Sequence, residues 1–279
     1  MKTTLITAAE LSAMPASEVL VVDCRQDLSD PGKGERDYRA GHIPGAVFAS
    51  LDRDLSDLSR QSLGLGRHPL PLESEFAAVL GRWGWQPGMQ VVAYDAAGGA
   101  LAAARLWWLM RLVGERATAV LDGGFAAWQA AGLPLETAVP ARAPTQVEVH
   151  YDPAQVVLDH AALADRVVVD ARAAPRYRGD TEPLDRVGGH IPGALNRPFV
   201  DNLAADGRFR PADELKQDFL AVLRGRAPSE VVHSCGSGVT ACHNLLAMEH
   251  AGLAGSALYA PSWSGWVSDP SRPVAKGDE

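Results

Sequence analysis

The chain has 279 residues and a formal net charge of −8 at pH 7, and its length suits two domains better than one. The acidic balance and the lack of a basic run exclude a general nucleic-acid binder, and no apolar stretch is long enough to cross a membrane. The first residues lack the features of a signal peptide, and three cysteines make no disulfide framework, so a cytoplasmic location is expected.

The first half of the chain alternates predicted strands and helices. Apolar, β-branched runs predict buried strands at residues 18–25, 90–94 and 117–121. Helical patterns follow at residues 73–83 and 100–112, and the loop Asp95–Gly99 precedes the second of them. Strands that alternate with helices predict an α/β fold, with a mostly parallel sheet covered by helices on both faces.

The motif order then repeats after a Pro- and Ala-rich stretch that is typical of a linker. Val168–Arg172 repeats Val21–Arg25 147 positions later, Gly189–Ala194 repeats Gly41–Ala46 at 148, Val231–Thr240 matches Val91–Ala100 at 140, and Tyr259–Trp266 matches Leu121–Trp128 at 138. Four matches in one order predict a duplicated domain. The first copy is predicted at residues 1–135, the linker at 136–150 and the second copy at 151–279.

The stretch around Cys235 is the main candidate for chemistry. Two β-branched residues lead into Cys235, and Gly236-Ser237-Gly238 and a helical apolar pattern follow, which predicts a strand, a tight loop and a helix. The loop N–H groups and the N-terminus of that helix favour a thiolate over a thiol. We therefore expect Cys235 to be a nucleophile at the carboxyl end of a parallel strand, and a buried structural cysteine is the alternative.

The repeated Asp-x-Arg, the repeated Gly-His-Ile-Pro-Gly-Ala and the Cys-Gly-Ser-Gly-Val-Thr loop together resemble the rhodanese-type sulfurtransferases of the two-domain kind. The resemblance covers nearly the whole chain and implies tandem rhodanese-like domains. It implies that Cys235 takes sulfane sulfur from a small-molecule donor as a persulfide. The acceptor would be a thiol, a thioredoxin-like protein or cyanide, without cofactor or metal.

The donor implied by the loop is 3-mercaptopyruvate, and thiosulfate is the second choice. Family members that prefer thiosulfate typically carry two basic residues directly after the cysteine, where this chain has Gly236 and Ser237. In the mercaptopyruvate-using members, a loop serine, a histidine and an aspartate form a proton relay. Ser237, His68 and Asp52 match these positions, and such a relay would protonate the enolate that leaves when sulfur departs. Judged by position alone, His68 would be a surface-loop histidine and Asp52 a turn residue.

The resemblance also assigns residues to donor binding. Arg176 matches the family's substrate-binding arginine, and Arg186 is the nearest match to a second one, although its spacing from Arg176 is one residue longer. Guanidinium groups suit a carboxylate because they donate two parallel hydrogen bonds. The loop residues assigned to the donor are Gly236, Gly238, Val239 and Thr240.

The first copy has Asp95 where the second has Cys235. An aspartate cannot carry sulfur, so we expect the first copy to be inert as a nucleophilic centre and to lend residues to a shared cleft.

Three other interpretations of the residues around Cys235 compete with this one. A Cys-loop phosphatase needs an arginine six residues after the cysteine, and that residue is Ala241. A non-catalytic binding module would be expected to have lost the cysteine in both copies. A metal site from His233, Cys235, Cys242 and His243 fits no common zinc spacing, and Cys235 and Cys242 are too far apart for a disulfide if the segment is helical.

Overall fold

The computed structural model describes residues 1–278 and divides into two compact units. Unit 1 contains residues 1–56, 71–152 and 205–209. Unit 2 contains residues 57–70, 153–204 and the residues from 210 onward. Residues 57–70 precede the predicted linker in the sequence and are nevertheless part of unit 2. The predicted linker, residues 136–150, forms no helix or extended strand and belongs to unit 1.

Unit 1 is built on a five-stranded parallel sheet in the order β1-β5-β4-β2-β3. Its strands are β1 (Leu5–Ile6), β2 (Val19–Asp23), β3 (Val47–Phe48), β4 (Gln90–Tyr94) and β5 (Thr118–Leu121). Its helices are α1 (Ala8–Ser12), α2 (Lys33–Ala40), α3 (Glu73–Arg82), α4 (Ala103–Leu112) and α5 (Gly124–Ala130). Every residue of β2, β4 and β5 is buried, as expected for parallel strands with helices on both sides.

Unit 2 repeats this arrangement with the strand order β6-β10-β9-β7-β8, again all parallel. Its strands are β6 (Val156–Val157), β7 (Val167–Asp170), β8 (Leu195–Asn196), β9 (Val231–Ser234) and β10 (Ala257–Tyr259). Its helices are α6 (Ala174–Arg178), α7 (Ala212–Leu223), α8 (Ala241–His250) and α9 (Ser262–Trp266). The predicted duplication of an α/β domain with a parallel sheet flanked by helices is confirmed.

Both repeated sequence motifs fix the same local structure in each unit. Arg172 Nη2 lies 2.6 Å from Asp170 Oδ2 and donates to the carbonyl of Gly189 at 2.6 Å, which ties the end of β7 to the Gly-His-Ile-Pro-Gly turn. Within that turn, the ring of His190 stacks on Tyr177 with the centroids 3.8 Å apart. Unit 1 makes the equivalent contacts with Asp23, Arg25, His42 and Tyr38.

Among residues 1–278, no helix combines the length and apolar character that a bilayer-spanning segment needs.

Candidate active site

Cys235 follows the last residue of β9, at the carboxyl edge of the unit 2 sheet where ligands of parallel α/β sheets bind. Its side chain is almost completely buried. The backbone N–H of Gly238 donates to Cys235 Sγ at 3.2 Å. Helix α8 begins at Ala241, so the loop 235–240 joins the strand directly to a helix N-terminus, whose partial positive charge favours an anion at Sγ.

Gly238 must be a glycine for this loop to close. Its φ of +76° lies in the left-handed region, and a Cβ atom there would lie 2.5 Å from the carbonyl oxygen of Ala260. The resulting turn points the N–H of Gly238 at the sulfur. Two other loop residues predicted to bind the donor, Val239 and Thr240, pass directly into α8, since the N–H groups of Cys242 and His243 donate to their carbonyls.

The loop is held from behind by the segment at the start of α9. The hydroxyl of Ser262 accepts the N–H of Cys235 at 3.1 Å, and the N–H groups of Trp263 and Ser264 donate to the carbonyls of Cys235 and Gly236, both at 2.9 Å. Ser262 has a φ of +52°, which is uncommon for a residue other than glycine. Ser262 was missed in the sequence analysis. The available signal was the glycine at the matching position of the first copy, Gly124, whose φ is +58°.

Arg172 adds a fixed positive charge to this surrounding. Burial opposes its charged form, but Asp170, Glu182 and the negative charge of Cys235 outweigh that effect and raise the pKa of Arg172. Its guanidinium also lies 4.7 Å from the centroid of the Trp263 ring. Arg172 is therefore a permanent positive charge at the carboxyl end of β7, and it lies against Trp263, whose backbone N–H donates to the carbonyl of Cys235.

The structure brings two of the predicted relay residues together. His68 Nδ1 lies 2.8 Å from Ser237 Oγ, and both residues belong to unit 2 because His68 lies in the segment 57–70. The same segment is anchored next to the loop, where the N–H of Arg67 donates to Ser264 Oγ at 3.0 Å. Asp52 lies in a half-buried turn of unit 1, and its part in the relay stays a prediction.

Two arginines approach the loop at Gly236. The position that a Cβ atom on Gly236 would occupy lies 2.9 Å from Arg67 Nη2 and 3.5 Å from Arg176 Nη2. Asp185 forms an ion pair with Arg67 and lies 3.5 Å from Arg176 Nη2, and Glu182 holds Arg176 at 2.6 Å. Arg176 was predicted from the family pattern, whereas Arg67 was missed, although the relay predicted for the adjacent His68 would have placed it near the loop.

Arg186 is placed differently from Arg176. Its Nε donates to the backbone carbonyl of Val267 at 2.8 Å, just beyond α9. The hydrogen bonds that the structure describes for Arg186 include none to the Cys235 loop. Its assignment to donor binding stays a prediction.

Unit 1 fills the corresponding loop with a carboxylate. Asp95 Oδ1 accepts the N–H groups of Ala97 and Gly99 at 2.8 and 2.9 Å, and Oδ2 accepts those of Leu101 and Ala103 at 3.0 and 3.2 Å. Burial raises the pKa of Asp95, and these four bonds act in the opposite direction. Because Asp95 takes the N–H groups at the predicted helix start, α4 begins at Ala103 rather than at residue 100.

The alternative chemistries find no support in the described residues. Within residues 1–278, no three His, Cys, Asp or Glu side chains are grouped as a metal site would require. Cys24, Cys235 and Cys242 are all described and buried, and none of the three forms a disulfide. Ala241, where a Cys-loop phosphatase would need its arginine, is the first residue of α8.

Comparison with known proteins gives a family to this arrangement. A family model, the Rhodanese-like domain, matches residues 7–131 and again residues 154–269. The chain belongs to the rhodanese family. The predicted resemblance to its two-domain sulfurtransferases is therefore confirmed.

Relatives within the rhodanese family are similar over almost the whole chain. A Pseudomonas aeruginosa protein named as a probable 3-mercaptopyruvate sulfurtransferase is 49% identical over 98% of both chains. A Mycobacterium tuberculosis protein, provisionally named as a thiosulfate sulfurtransferase, is 39% identical over 98% of this chain and 97% of its own. The structure of 3-mercaptopyruvate sulfurtransferase from Leishmania major is 32% identical with a TM-score of 0.84, covering 94% of this chain and 73% of that one.

Proposed function

We propose that the protein is a sulfurtransferase that moves sulfane sulfur from 3-mercaptopyruvate, through a persulfide on Cys235, to a thiol or to cyanide. The observation that carries the proposal is the surrounding of Cys235 Sγ. The sulfur accepts the N–H of Gly238 at 3.2 Å and lies in a loop whose Ser237 hydroxyl is 2.8 Å from His68 Nδ1. The names of the most similar relatives support the same activity.

The first half-reaction is a displacement at sulfur. The Cys235 thiolate attacks the sulfur of 3-mercaptopyruvate, so an S–S bond forms while the C–S bond breaks and its electron pair leaves with the carbon as the enolate of pyruvate. The enolate takes a proton from the Ser237 hydroxyl, which His68 replenishes. This proton transfer accompanies C–S cleavage, because the unprotonated enolate is a poor leaving group.

The second half-reaction regenerates the enzyme. An acceptor thiolate attacks the outer sulfur of the persulfide, and the Cys235 thiolate leaves. The N–H of Gly238 stabilises that thiolate as it departs. Cyanide would react in the same way and leave as thiocyanate.

The proposal is tested by incubating the protein with 3-mercaptopyruvate, without acceptor, and measuring its intact mass. The wild type is expected to gain the mass of one sulfur atom and to release pyruvate, while Cys235→Ser should do neither. Cys24→Ser and Cys242→Ser are matched controls, since both residues are also buried thiols, and they should retain the gain. Sulfur on Cys24 or Cys242 in the Cys235→Ser variant would contradict the proposal.

A further inference from the structure

Arg67 lies beside the Cys235 loop, but it belongs to none of the sequence motifs from which donor-binding residues were predicted. The basic residues that thiosulfate-preferring members carry after the cysteine are replaced here by Gly236 and Ser237, so the loop itself supplies no cation. In the folded chain, Arg67 Nη2 lies 2.9 Å from the position of a Cβ atom on Gly236, closer than either nitrogen of Arg176. The structure thus brings a guanidinium to the loop from a segment that lies far away in sequence.

We propose that Arg67 is a donor-binding residue, which acts with Arg176 to bind the anionic end of the sulfur donor beside Gly236. The inference rests on the proposed function, because it assigns a subsite for the donor of that reaction. Both guanidinium groups approach within 4 Å of one point, which lies next to the residue that follows Cys235. A carboxylate placed there would accept charge-assisted hydrogen bonds from two planar forks at once.

The arrangement of the acids shows how two cations are held so close together. Asp185 contacts Arg67 through Oδ1 and Arg176 through Oδ2, and its side chain is only 5% exposed. The side chains of Arg67 and Arg176 are 29% and 21% exposed, so the arginines are open to a ligand while the acid between them is covered. Asp185 offsets their mutual repulsion and keeps both guanidinium groups directed towards Gly236.

Gly236 contributes by having no side chain. Unlike Gly238, it is not in the left-handed region of φ, so its backbone does not require a glycine. The constraint is spatial, since a Cβ atom would enter the space that Arg67 Nη2 borders at 2.9 Å. Gly236 therefore keeps open the space in which the donor's anionic group would lie.

The test is steady-state kinetics with 3-mercaptopyruvate and with thiosulfate on Arg67→Ala, with Arg60→Ala as the matched control. Arg60 lies in the same segment and also tethers it, through a bond from Nη1 to the carbonyl of Leu70 at 3.1 Å. A lost charge-assisted contact in ground state and transition state alike raises KM by about 10- to 100-fold and leaves kcat nearly unchanged. We expect this for Arg67→Ala with both donors, a smaller rise for Arg67→Lys, and no change for Arg60→Ala.

The opposite pattern would overturn the inference. If Arg67 only anchored the segment that carries His68, Arg67→Ala would lower kcat for 3-mercaptopyruvate without raising its KM. An equal rise of KM in Arg60→Ala would likewise assign the effect to the segment and not to the guanidinium.

A binding measurement separates this inference from the proposed function. In the Cys235→Ser background no sulfur can be transferred, and titration calorimetry with thiosulfate reports donor binding alone. Adding Arg67→Ala is expected to weaken that binding by about 10-fold or more. Unchanged affinity would refute the role of Arg67 even if the wild type transfers sulfur, and weakened affinity would support the subsite even if the wild type prefers another donor.

Discussion

His68 Nδ1 lies 2.8 Å from Ser237 Oγ, although 169 positions separate the two residues in the chain. The contact lies within unit 2, because residues 57–70 are part of that unit and carry His68 to the Cys235 loop. A histidine that hydrogen-bonds a hydroxyl can pass a proton through it in either direction.

Ser237→Ala is expected to reduce turnover with 3-mercaptopyruvate by about 10- to 100-fold and to affect thiosulfate much less. Only the first donor leaves as an enolate that must be protonated, whereas sulfite leaves thiosulfate as a stable anion. The measurement is kcat for both donors on one preparation. Equal losses with both donors would show that Ser237 shapes the loop and does not relay a proton.

The Cys235 loop could be predicted from the sequence because its parts are neighbours in the chain. The strand, the glycines and the helix that position Cys235 all lie within residues 231–250, and the repeat gave their register against Asp95. Arg67 and Ser262 could not be predicted in the same way. Ser262 reaches the loop from α9, through a bond to Cys235 that spans 27 positions. Arg67 lies beside the loop because its segment is anchored to Ser264, 197 positions away.

Gly238→Ala is expected to damage both stability and sulfur uptake. The left-handed φ alone costs about 1–2 kcal/mol for an alanine, and the Cβ atom would in addition displace the loop from Ala260 and move the N–H away from Sγ. Gly252 is a matched control, because its φ is +77° but no neighbouring atom lies within 4 Å of its Cβ position. Gly252→Ala should lower the free energy of unfolding and leave sulfur uptake intact, so equal loss of uptake in both variants would contradict this account.

Asp95→Ala is expected to destabilise unit 1 by about 3 kcal/mol or more, because four N–H groups, two of them buried, lose their acceptor. Asp95→Asn keeps one acceptor oxygen and should be intermediate. Urea unfolding measures both effects. At a temperature where both variants stay folded, the sulfur gained on incubation with the donor should equal that of the wild type, and a reduced gain in either variant would contradict a purely structural role of this loop.

The buried His233, on β9, is expected to make the free energy of unfolding fall at acid pH. Burial lowers its pKa to about 3 from the model-compound value of 6.5, so the folded state keeps it neutral where the unfolded state takes up a proton. Stability from this residue is complete above pH 6.5 and falls as the pH drops towards 3, by roughly 2 kcal/mol at pH 5.

The check is the difference in unfolding free energy between pH 7 and pH 5, compared with that of His233→Leu. The other histidines contribute to both proteins, so the difference between wild type and variant isolates His233. The loss of unfolding free energy between pH 7 and pH 5 should be smaller by roughly 2 kcal/mol in the variant. An unchanged pH dependence would show that His233 does not control acid stability.

The Asp95 carboxylate can be compared with the side chain of Cys235, its counterpart in unit 2. An aspartate side chain has three atoms in line, Cβ, Cγ and Oδ. A persulfidated cysteine also has three, namely Cβ, Sγ and the outer sulfur. Asp95 therefore has as many atoms along its side chain as the persulfide proposed for Cys235, and four N–H groups donate to its two terminal oxygens. Unit 1 thus holds permanently, at the position that corresponds to Cys235, a side chain with as many atoms as the persulfide that we propose for unit 2.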